Sequence, residues 1–84
     1  MDISTKIKLL IQDTLQREGL KIYKITYQKE ESNKVLRIVI EGENKLTADD
    51  CAAAYKKINP ILEENNLIDE PHILEVSTRM SEEK

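Results

Sequence analysis

Between Gly19 and Glu41 the apolar residues of the chain alternate. Tyr23, Ile25 and Tyr27 recur at every second position, and so do Leu36, Ile38 and Ile40. The interval between them, Lys29-Glu30-Glu31-Ser32-Asn33, is polar and has no sustained apolar period. A period of two in β-branched and aromatic residues, bounded by turn formers, predicts two strands joined as a hairpin. On this reading the six alternating side chains form one sheet face, which other elements must cover.

The flanking segments supply the cover. Ile3, Ile7, Leu10, Ile11, Thr14 and Leu15 follow helical spacing, which predicts a helix over 2–18. Asp2 or Ser4 can cap its start, and Gly19 stands where a left-handed C-terminal cap is wanted. After a polar loop, Thr47 and Asp50 have the spacing of a shortened capping box. Leu46 and Cys51 are placed like a hydrophobic staple around it. The face Cys51, Ala54, Tyr55, Ile58, Ile61 and Leu62 continues as a helix. Pro60 removes one backbone donor and predicts a kink, or a break with a short second piece ending near Asn65. His72 to Thr78 reads as a third strand with Leu74 and Val76 on the core side.

The order is therefore α-β-β-α-β, an α+β fold built as a two-layer α/β sandwich with two helices on one face of a three-stranded sheet. The third strand has two candidate neighbours: the second strand, in parallel, or the first, antiparallel. Residues 1–78 read as one domain, and 79–84 as a polar, fraying tail.

Composition narrows the function classes. A chain of 84 residues makes one domain and buries about 60–65% of its unfolded surface, so one two-layer core is its limit. The net charge of −3 argues against broad, non-specific binding to nucleic acid or anionic membrane. A single cysteine, Cys51, excludes an internal disulfide and fits a reducing compartment. No secretory leader is apparent, and the longest apolar run falls far below the roughly 20 residues that span a bilayer. The expected location is cytoplasmic, with no membrane partner.

The ordered blocks also carry a family likeness. Gly19-Leu20-Lys21-Ile22 through Tyr27, then Val35-Leu36-Arg37-Ile38-Val39-Ile40, then Leu46-Thr47-Ala48-Asp49-Asp50-Cys51, then Pro71-His72-Ile73-Leu74-Glu75-Val76-Ser77, resemble the N-terminal domain of the ribosome maturation factor RimP. The likeness covers roughly residues 2–77. It implies a non-enzymatic, cytoplasmic factor that binds the small ribosomal subunit during its maturation. It also implies a fold akin to the prokaryotic type of KH domain. The partner so implied is the small subunit or a ribosomal protein, with weak ribosomal RNA contact as an addition. Family members continue past the third strand with Ser-Pro-Gly, whereas this chain reads Ser77-Thr78-Arg79-Met80, and the family's C-terminal small barrel has no counterpart in it. The sequence thus reads as a stand-alone relative or an excised domain.

The chain offers four candidate sites. A KH module clamps RNA with a Gly-x-x-Gly loop, but the corresponding junction here is Asn59-Pro60-Ile61-Leu62. The outer sheet face would carry Ile22, Lys24 and Thr26, then Val35, Arg37 and Val39, then Ile73, Glu75 and Ser77. With both helices on the other side, Ile22, Val35, Val39 and Ile73 are expected in solvent. Interleaved with Lys24, Arg37 and Glu75, they form a mixed patch suited to a protein partner. Reversing the charges of Arg37 and Lys24 is expected to weaken partner binding without unfolding the domain. Cys51 and the single histidine, His72, are not brought together by spacing, so Cys51 reads as a small buried hydrophobe. Asp49 and Asp50 are explained by capping, and adjacent glutamates on a helix do not face each other. No catalytic, metal or cofactor site is expected. The functional reading is a ribosome biogenesis module. The alternative is a protein-interaction or dimerisation module without a ribosomal role.

Overall fold

The computed structural model describes residues 2–79. The elements are α1 (Ile3–Arg17), β1 (Leu20–Glu30), β2 (Asn33–Gly42), α2 (Ala48–Asn65) and β3 (Ile73–Thr78). The α-β-β-α-β order and three-stranded mixed sheet are those of the expected α+β fold. The expectation of a frayed tail falls, beyond Arg79, outside the described residues.

Local chemistry sets the helix ends. The Asp2 carboxylate accepts the Thr5 backbone N–H at 2.9 Å. That bond holds the carboxyl below its ordinary value, since only the ionised form accepts it fully. At the other end Gly19 takes φ +77°, and its N–H donates to the Gln16 carbonyl at 3.0 Å. A residue with a Cβ would strain there. At the start of α2 the Thr47 N–H donates to Asp50 Oδ2 at 2.8 Å, and the Asp50 N–H donates to Thr47 Oγ1 at 3.2 Å. The capping box is therefore complete with aspartate in place of glutamate.

Helix α2 runs unbroken through Pro60 to Asn65, so of the kink or break expected at Pro60 the break does not occur. The reason is where the proline sits. Pro60 and Lys56 are both exposed, so the proline lies on the wet side of the helix, where water can satisfy a carbonyl that loses its helical donor. The helix stops at Asn66 instead. That residue adopts a left-handed φ of 47°, and its N–H closes on the Leu62 carbonyl at 2.9 Å.

The hairpin closes through Glu31 and Ser32, with Glu31 at a left-handed φ of 57°. Ile25 pairs with Ile38 and Tyr27 with Leu36 on the covered side, as the alternation predicts. The alternation fails at one place. Ile22 lies opposite Ile40 and Lys24 lies opposite Val39, so Tyr23 is an extra residue in β1. This β-bulge shifts the phase of the strand by one. Ile22 therefore packs against the core, although outer-face placement was expected, and Tyr23 is 42% exposed although core placement was expected.

β3 lies beside β2 and runs parallel to it, with Val35 opposite Ile73 and Ile40 opposite Thr78. α2 is the crossover that makes this direction reachable. The sheet order β1-β2-β3 puts β2 in the centre, and its Val35, Leu36, Ile38, Val39 and Ile40 are all buried. α1 packs over β1 and α2 over β3. Ile7, Ile11 and Leu15 of α1 meet Leu36, Ile38 and Ile40 of β2 and Ala54 and Ile58 of α2 in one core.

Candidate functional site

The face of the sheet turned away from the helices is organised around Arg37. In the ladder Thr26, Arg37 and Glu75 lie side by side across the three strands. The Arg37 guanidinium forks onto Glu30, donating from Nη1 at 3.0 Å and from Nη2 at 3.1 Å. Its Nη2 also donates to Glu75 Oε2 at 3.1 Å. One cation thus ties β1, β2 and β3 together. The Glu75 and Glu30 carboxylates stabilise its charged form and raise its pKa further still.

A second tie lies towards Glu41. Arg79 sits over the Tyr23 ring with its guanidinium carbon 4.7 Å from the ring centroid, and its Nη1 reaches Glu41 Oε2 at 3.0 Å. The bulge makes this contact available by releasing Tyr23 from the core alternation. Ser77 faces the same side, beside Val39, and its buried Oγ has no hydrogen-bond partner.

The structure brings most of the sequence-predicted face residues together. Lys24, Val35, Arg37, Val39, Ile73 and Glu75 share it, with Lys24 against Val39 and Val35 against Ile73. Ile22 is on the other side, for the reason given above. Expected exposure is corrected for two more. Val39 is fully buried and Val35 nearly so, whereas Ile73 is 48% exposed. The apolar part of the patch is therefore Ile73 at the margin, beside the charged Arg37 cluster. Sequence reasoning missed Glu30, Tyr23, Glu41 and Arg79. Glu30 was out of reach, because the polar interval from Lys29 to Asn33 left the turn length, and with it the register, open. The role of Tyr23 depends on a bulge that no residue type announces.

The remaining candidates sit apart. Asn59-Pro60-Ile61-Leu62 lies inside α2, so no loop exists there to clamp a nucleotide backbone. Cys51 is half-buried in the first turns of α2, and burial, followed by the nearby Asp50 charge, pushes its thiol up. Among the described residues, no group of three or more His, Cys, Asp or Glu side chains is placed to hold a metal ion. No helix among them is long and apolar enough to cross a membrane.

The family model of the RimP N-terminal domain matches residues 10–79. The chain belongs to that family. The match takes in the whole sheet, all of α2 and α1 from Leu10 onward. The RimP family is one of ribosome maturation factors and is not known as an enzyme family.

Proposed function

We propose that this RimP-family domain binds the small ribosomal subunit during its maturation, in the cytoplasm, and meets it through the outer face of its sheet. The family match over residues 10–79 carries the reading. The geometry supports the choice of face. The helix side of the sheet is consumed by the core, and the reverse side presents Lys24, Arg37, Glu75 and Ile73. Both charge signs lie there within a few residues of an exposed isoleucine, a composition that suits a polar protein interface. A ribosomal protein is the direct partner on this reading.

Co-sedimentation of the chain with purified small subunits across a salt series tests the proposal. Binding that survives moderate salt supports protein contacts, because screening erases exposed charge pairs first. Absence from the subunit fraction even at low salt overturns it.

A further inference from the structure

Between the C-terminal half of α2 and the start of α1 the domain leaves a cavity of about 300 Å³. Its floor is apolar, made by Ile7 of α1, Leu62 of α2, Leu67 and Ile68 of the α2–β3 connection and Leu74 of β3. Ile7 is fully buried, whereas the other four pack against the core and stay partly exposed. Tyr55, 39% exposed, lines the cavity as well. The volume lies at the lower end of the range for ligand pockets and has room for one large apolar side chain.

The charge around this cavity has one sign. No lysine or arginine lies between Lys57 and Arg79, the interval that supplies every lining residue except Ile7 and Tyr55. Glu63 and Glu64 stand on the helix side, and Asp69 and Glu70 follow directly after Ile68; all four are exposed. Two of these carboxylates are held in place by neutral donors. The Asn59 amide donates to Glu63 Oε1 at 3.2 Å, and the Tyr27 hydroxyl donates to Glu70 Oε2 at 2.8 Å. The last turn of α2 carries no basic residue. A helix C-terminus is the negative end of the dipole, so glutamates there are unfavourable and a cation is favourable. The stability of the domain does not explain that choice of residues.

We infer that the cavity holds one apolar side chain of a basic peptide, whose lysines or arginines on either side of that anchor face Glu63 and Glu64 at the helix end and Asp69 and Glu70 on the connection. Charge complementarity selects this occupant. Nucleic acid and anionic lipid are repelled by the carboxylates. A neutral peptide or a small apolar molecule fills the hole but leaves the helix end uncompensated. The acids flank the cavity on two sides, so the cations must stand both before and after the anchor. A chain does this and a small ligand with one charge does not. The cavity lies on the helix side of the sheet, so the inference does not rest on the outer-face reading above.

The test titrates the full chain into a labelled peptide with one central leucine and two lysines on each side, followed by fluorescence anisotropy. The methyl resonances of Ile7, Leu62 and Leu74 should shift as the peptide binds. Serine in place of the peptide's leucine should weaken binding roughly 10- to 100-fold, the worth of burying one such side chain. Glutamates in place of its lysines should abolish binding. Glu63→Gln with Asp69→Asn should weaken binding roughly 3- to 20-fold and flatten its salt dependence. That variant should melt no lower than the parent, since it relieves the helix end. Asp13→Asn with Glu43→Gln, the same charge change away from the cavity, should leave affinity within about twofold. The inference is overturned if the chain does not bind the peptide, if the three methyls stay unshifted, or if the serine peptide binds as tightly. It is also overturned if both acid pairs lose affinity alike. A parent that dimerises, and whose dimer the peptide dissociates, would make a second copy the occupant and overturn it as well. Peptide binding is read without ribosomal subunits, so its failure leaves the function proposed above standing.

Discussion

Arg37 stands directly opposite Glu75 in the parallel β2–β3 ladder and hydrogen-bonds to it, while its other guanidinium donors fork onto Glu30 of β1. The arrangement changes what a charge reversal does. Arg37→Glu would set a third carboxylate beside Glu30 and Glu75, so it cannot act on a partner alone. After discounting for the exposure of both glutamates, Arg37→Ala should cost about 1 kcal/mol, and Arg37→Glu more. Thermal unfolding followed by circular dichroism should show a fall of roughly 4–8 °C for the alanine variant, the usual response of a domain this small. A clean test of partner binding therefore uses Lys24→Glu, leaving Arg37 in place.

Glu31 holds a left-handed φ of 57° at the hairpin turn. A residue with a Cβ is strained by roughly 1–2 kcal/mol there, and glycine is not. Glu31→Gly gives part of that back as unfolded-chain entropy. The expected outcome is a net gain of about 0.5–1 kcal/mol in denaturant unfolding, with an unchanged m-value.

Ile38 is fully buried in the central strand and belongs to the core shared with both helices. Ile38→Val should cost about 1 kcal/mol and Ile38→Ala about 2–5 kcal/mol. A domain of this length has roughly 4–12 kcal/mol in all, so the alanine variant should lose a large share of its stability and unfold at clearly lower denaturant. Val39, also buried, faces the opposite side, away from the helices.

Burial and the neighbouring Asp50 charge raise the Cys51 thiol above its ordinary value of 9.0. The thiol is neutral in the folded chain at neutral pH, so its contribution to stability is fully present below that value. It is lost as pH rises through the higher, folded value. Alkylation by iodoacetamide at pH 7.5 should be slower than for the unfolded chain in urea, because only the thiolate attacks. Equal rates would contradict the burial of this residue.

The element order and the helix ends were legible because each rests on local chemistry. Thr47 and Asp50 close a capping box three residues apart, and Gly19 supplies the one φ its neighbours could not adopt without strain. The neighbour of β3 stayed open between β2 and β1, and the structure decides for β2. In the structure β2 is central, and its Val35-Leu36 and Ile38-Val39-Ile40 are buried on both faces. Pro60 left a kink and a break both open, because a proline's effect depends on whether the orphaned carbonyl can reach water, which is a matter of tertiary position. Tyr23 misled because a bulge inverts the phase of a strand without changing its composition. The candidate face was legible as a set of positions. It was not legible as a network, because the Glu30–Arg37–Glu75 and Tyr23–Arg79–Glu41 groupings need register across three strands.

Hydrogen–deuterium exchange of the chain, alone and bound to small subunits, tests the central claim most directly. If the outer face meets the subunit, exchange slows in 24–28 and 73–77, while the exposed turns of α1 and α2 keep their rates. Protection confined to α1 and α2 in a formed complex would contradict the assignment of that face.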